Sequence, residues 1–168
     1  MSIAQMGEHM ELTEKQALIR VSMLNAEVID ANFEEVMVSR ICSGWPPELL
    51  TRLEGLWGVT KKIAGESVAI GKIILMKVFE FVESNPKVFV GAAVGAAFSV
   101  LVSGIPFLGA IIAPYVAAIG ALTGAAAGAA MQNPKADGSI ESGLITLAEN
   151  FFGLFFAIFK AIKIHLND

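Results

Sequence analysis

The stretch VFVGAAVGAAFSVLVSGIPFLGAIIAPYVAAIGALTGAAAGAAMQNP, residues 88–134, runs for 47 residues without an Asp, Glu, Lys, Arg or His. A hydrocarbon core of roughly 30 Å is crossed by ~20 helical residues, so this length accommodates two crossings and a short turn. The turn is readable at SGIPFLG, residues 103–109, where two glycines and Pro106 fall together. The pattern predicts helices over about 88–103 and 108–131, with Pro114 near the start of the second. The edges carry the same tripeptide twice, Asn85-Pro86-Lys87 before and Asn133-Pro134-Lys135 after. Proline resists helix continuation, and it pushes the preceding residue towards extended geometry. Lys87 and Lys135 are placed to snorkel to headgroups on one side of a two-crossing hairpin.

Within this stretch glycine recurs where helix propensity disfavours it. Gly120, Gly124 and Gly128 fall at every fourth position, although each costs a water-exposed helix about 1 kcal/mol relative to alanine. Gly91, Gly95, Ser99 and Ser103 form a second ridge of the same period. Inside a bilayer, burial does not drive helices together, because lipid tails are as apolar as leucine. Close packing of small residues does. The seven residues are therefore candidate helix-packing positions, within one hairpin or between hairpins of a homo-oligomer.

The flanking segments are amphipathic. Residues 1–45 carry seven acids against three bases. Thr13 and Gln16 fit a capping box, and Leu18, Val21, Leu24, Val28, Ile29, Phe33, Val36 and Met37 recur at helical spacing. The pattern predicts one helix over about 13–41, closed by Ser43-Gly44 and Pro46-Pro47. Its acidic face is solvated surface or a site for a protein partner. In residues 46–87 a second helix follows Pro47, with Leu49, Leu50, Leu53, Leu56, Trp57 and Ile63 on one side. The run VAIGKIILMKVFEFV, 68–82, is apolar enough for a membrane surface, with Lys72, Lys77 and Glu80 as a thin polar stripe. Residues 135–168 open with the linker KADGSIESG, 135–143, and continue into a last helix reaching about His165. Its wide apolar side includes Phe151, Phe152, Phe155, Phe156 and Phe159, with Lys160 and Lys163 near its end. It is expected to lie in the plane of the interface, a third crossing being the alternative. Lys72, Lys77, Lys87, Lys135, Lys160 and Lys163 with those five phenylalanines are the candidate membrane-interface residues. The absence of charge in the turn places both termini on the cytoplasmic side of an inner membrane by the positive-inside rule.

Composition agrees. Hydrophobic residues make up 55% of the 168 and charged residues 17%, against about 25% charged in an average domain, and the mean hydropathy is +0.65. A net charge of −4 provides no basic footprint for nucleic acid. The single cysteine, Cys42, excludes an intrachain disulfide and reads as a small buried residue. The first residues, MSIAQMGEHMELTEK, lack the basic and apolar regions of a secretory signal.

Signals of catalytic or ligand chemistry are weak in this sequence. GESVAIGKI, 65–73, resembles a phosphate loop only superficially: five residues separate its glycines and Ile73 follows Lys72, where a Walker loop has four and Ser or Thr. His9 and His165 stand at opposite ends of the chain. Trp45 and Trp57 are interfacial anchors or ordinary packing. No nucleophile–base pair or metal-ligand spacing is present, so neither an enzyme nor a cofactor is expected.

The fold class expected is all-α: a membrane protein with a small-residue, glycine-zipper-like two-helix hairpin flanked by amphipathic helices. Over about 64–166 the layout resembles that of colicin-type pore-forming domains, an apolar hairpin surrounded by amphipathic helices, with no shared motif. That layout implies a self-associating protein that inserts into a lipid bilayer and permeabilises it. A membrane scaffold that oligomerises is the alternative. A helical bundle with the hairpin as its buried centre is the third reading, and it requires the uncharged residues to be nearly covered by the rest.

Overall fold

A computed structural model describes residues 11–105, 108–115 and 134–162, the side chains of 134–142 excepted. The described chain is mostly helical. In order it forms α1 (Glu14–Val28), α2 (Phe33–Cys42), α3 (Pro47–Trp57), β1 (Lys61–Ile63), β2 (Glu66–Val68), α4 (Ile70–Glu83), α5 (Val90–Gly104), α6 (108–115), α7 (Pro134–Phe151) and α8 (Gly153–Ala161).

The capping box at Thr13 forms as its sequence specifies. Gln16 N–H donates to Thr13 Oγ1 at 3.2 Å and Thr13 N–H to Gln16 Oε1 at 3.0 Å. The single helix expected to 41 is divided at Asp30–Asn32. Asn32 caps a new helix by accepting from Glu35 N–H, and a cation from elsewhere takes the carbonyls freed by the break. Pro47 opens α3 at its first position, where the missing N–H has no partner to lose.

The next segment departs from the reading as continuous helix. Ala64 and Gly65 both adopt positive φ, 52° and 83°, and close a two-residue antiparallel hairpin with Lys61 opposite Val68 and Ile63 opposite Glu66. Positive φ at both central positions gives the turn whose twist matches paired strands. The hairpin returns the chain so that α4 starts against the end of α3, with Gly71 N–H donating to Val59 O at 3.0 Å.

The helices form a closed circuit. α1 packs on α4, α4 on α5, α5 on α7, α7 on α8, and α8 returns to α1; α3 lies against α4 and carries α2. α4 is buried along most of its length through Ile70, Ile73, Ile74, Val78, Phe79 and Phe81, so the run that looked suited to a membrane surface is core in this structure. No buried side chain among the described residues is polar or charged.

Candidate functional site

The first helix of the uncharged stretch starts at Val90, two residues after the expected start, and ends at Gly104. Ala93, Val94, Ala96, Ala97, Phe98, Val100 and Leu101 bury it against its neighbours. Its 15 residues span roughly 22 Å at 1.5 Å each, short of a hydrocarbon core. Among the described residues no single helix is long and apolar enough to cross a membrane. The expected transmembrane hairpin is therefore not laid out as two spans by these residues, and α5 is a covered core helix. The second expected helix is described only at 108–115, where Leu108 and Ile112 are buried.

The packing ridge is divided by this arrangement. Gly91 is buried and Gly95 half-buried, whereas Ser99 and Ser103 are exposed. A period of four overshoots the helical 3.6, so the ridge winds out of the contact, and the larger residues of α5 make the interior. Gly120, Gly124 and Gly128 lie outside the described residues.

The aromatic helix is bent. Gly143–Phe151 and Gly153–Ala161 meet at 50°, and this pair together reaches the length and hydropathy of a span. Its phenylalanines separate by side. Phe152, Phe155 and Phe159 are buried, Phe156 is half-buried and Phe151 exposed. Phe81 of α4 packs its ring on Phe151 and Phe152 at 5.4 and 5.9 Å between centroids, and Phe155 lies 4.7 Å from Phe159. In this structure the three buried rings pack in the core. The linker expected at 135–143 is helical, as the start of α7.

The lysines have distinct surroundings. Lys72 Nζ donates to Ile29 O at 2.9 Å and Ala31 O at 3.1 Å, and stands 5.5 Å from the Trp57 ring centroid. It therefore satisfies the carbonyls at the break after α1. Lys77 pairs with Glu80 at 3.2 Å within α4. Lys87 and Lys160 are exposed. Lys163 and the side chain of Lys135 lie outside the described residues, as do His9 and His165. Trp45 and Trp57 are both buried packing residues, and Cys42, expected inside, is exposed at the end of α2 because the apolar side of that helix is turned away from it.

One cluster has no counterpart in the sequence pattern. Arg40 of α2 forms an ion pair with Glu83 at the end of α4, and its guanidinium carbon lies 5.9 Å from the Trp45 ring centroid and 5.2 Å from that of Phe79. Burial lowers the Arg40 pKa from its ordinary value by desolvating the charged form, and its Nε is buried without a hydrogen-bond partner. Arg40 and Trp45 lie together in sequence, as do Phe79 and Glu83 one turn apart on α4, but about 40 residues separate the two pairs, so spacing does not reveal them as a cluster. Elsewhere an open groove of about 490 Å³ between α1 and the hairpin is lined mainly by apolar groups such as Ile19, Met23 and Ile63, with Lys15, Ser22 and Glu66 among its polar members. Among the described residues no three His, Cys, Asp or Glu side chains gather as metal ligands would.

No protein-family model, curated protein or solved structure matches this chain.

Proposed function

We propose that this protein inserts into a lipid bilayer, self-associates there and permeabilises it, the uncharged segment 88–134 entering the hydrocarbon. The observation that carries this reading is the segment itself: 47 residues without a charge, of which the described helix α5 is held covered by α4 and α7. Apolar surface of this extent stays covered in water because exposure costs about 25 cal/mol per Å². Lipid removes that cost, so the covering helices can separate from it at a membrane. Self-association then draws on the small-residue ridges, whose exposed members Ser99 and Ser103 leave one side of α5 able to approach another helix closely. The bilayer is a cytoplasmic membrane with both chain ends on its inner side, as the lysines flanking the segment favour.

Vesicles loaded with a self-quenching dye test the proposal. Added protein is expected to release the dye, with a rate rising more steeply than in proportion to protein concentration. Binding to vesicles without release, at every protein-to-lipid ratio, refutes it; tubulation of those vesicles would favour a scaffold instead.

A further inference from the structure

The helix pair α7–α8 has a core side, a polar side on which Thr146, Glu149 and Lys160 are exposed, and an apolar strip open to the outside. Leu144, Ala148, Phe152, Phe155 and Phe159 face the core. In the strip Leu147 is 49% exposed and Phe151 36%, one turn apart on α7, and Leu154 is 40% exposed just beyond the 50° bend. Such a strip is covered, when it is covered, by a protein partner or by lipid.

Area decides between these occupants. The three side chains together offer on the order of 250 Å², taking about 150–250 Å² for a large apolar side chain when free. A stable protein partner covers about 800 Å² on each side, so the strip is too small for a second copy of the chain. Lipid sets no such threshold, since each side chain partitions according to its own apolar area. The strip also lies on the one helix pair among the described residues that reaches the length and hydropathy of a span. Lys160 is exposed on the polar side of α8, with a stem long enough to carry its ammonium to an anionic headgroup.

We propose that Leu147, Phe151 and Leu154 are the strip by which the folded protein first lies on a bilayer surface, before α5 is uncovered. This rests on the bilayer reading above and names the element that makes the first contact. The buried row of Phe152, Phe155 and Phe159 stays in the core at that stage, so the sequence's most conspicuous aromatics are not the first anchors.

The test uses the full chain with an environment-sensitive nitrobenzoxadiazole dye. One sample carries Cys42→Ser with Leu154→Cys, labelled at 154. The control is labelled at the native Cys42, which is exposed on α2. Vesicles of phosphatidylcholine and phosphatidylglycerol are expected to brighten and blue-shift the label at 154 and to leave the label at 42 unchanged. The double variant Leu147→Ser with Leu154→Ser is expected to keep its far-ultraviolet circular dichroism and lose at least ~10-fold in vesicle partition. A dye at 154 that stays in water on sedimented, vesicle-bound protein overturns the strip. So does brightening that follows protein concentration without vesicles, because a second copy then covers it. Docking at 154 without dye release keeps the strip and removes the permeabilising function; release with a silent label at 154 does the reverse. Absence of both binding and release overturns the two together.

Discussion

Gly71→Ala is expected to destabilise the fold, against the ordinary gain from replacing glycine in a helix. Gly71 is the second residue of α4 and meets the last turn of α3 backbone to backbone. A Cβ built there overlaps the carbonyl oxygen of Leu56, lies 2.9 Å from that carbonyl carbon and 3.2 Å from Val59 N. Neither neighbour is a side chain that can rotate away, so the two helices must separate. Overpacking of this kind costs about 1–3 kcal/mol. Separation also stretches the 3.0 Å bond from Gly71 N–H to Val59 O, for about 1 kcal/mol more. The helix-propensity gain of about 1 kcal/mol offsets part of this, leaving a net loss of roughly 1–3 kcal/mol. Gly143→Ala is the internal control, since a Cβ there meets nothing within 4 Å and the propensity gain should appear unopposed. Urea unfolding followed by circular dichroism measures both. Gly71→Ala with a midpoint equal to or above the parent protein refutes the backbone contact. If covering restrains insertion, the same variant also releases vesicle dye faster than the parent.

Four further substitutions probe contacts that the sequence pattern does not display. Arg40→Met should cost about 2 kcal/mol through loss of the Glu83 pair and both ring contacts, whereas Glu83→Gln, at a half-exposed carboxylate, should cost under about 1 kcal/mol; equal losses in urea titrations would show that the rings contribute little. Lys72→Met should lower the unfolding free energy from urea titration by about 1–2 kcal/mol, because two carbonyls lose a charged donor. Its vesicle partition should stay unchanged, and a partition defect with full stability would instead restore Lys72 to a headgroup. Ala64→Asn should raise stability by roughly 0.5–1 kcal/mol by easing a left-handed residue in the hairpin turn; a lower thermal midpoint would contradict the turn.

Legibility from sequence followed the range of the interaction. The cap at Thr13, the start at Pro47 and the helix near 88–103 are set within a few residues, so they were readable in type and nearly in position. The break at Asp30–Asn32 was not, because it depends on Lys72, 41 and 43 residues away from its two acceptors. The hairpin at 61–68 was hidden because Ala64 occupies a position where glycine or asparagine is the usual signal. Phe152 and Phe151 are adjacent, yet one is core and the other exposed. Hydropathy cannot tell two apolar faces of one helix apart until the neighbours are placed. Arg40 is the extreme case: Trp45 is local to it, its N–H donating to Arg40 O, but Phe79 and Glu83 reach it only in the folded chain.

The boundaries of α5 constrain what insertion requires. Upstream, proline fits a helix only in its first turn, so Pro86 sets the start; downstream, Pro106 stops it after Ile105. A helix opening at Pro86 runs over 86–105, 20 residues and roughly 30 Å, close to the hydrocarbon thickness. The folded form uses only Val90–Gly104. Its lower end is a turn in which Val88 N–H donates to Asn85 O at 3.1 Å, and Phe89 is exposed. A spanning α5 must therefore rewind that turn into helix, whereas a protein lying on the surface leaves it untouched. Amide exchange of peptides covering 85–90 separates the two. Slower exchange on vesicles than in buffer is expected for the span, and unchanged exchange in vesicle-bound protein that releases dye would refute α5 as the inserted element.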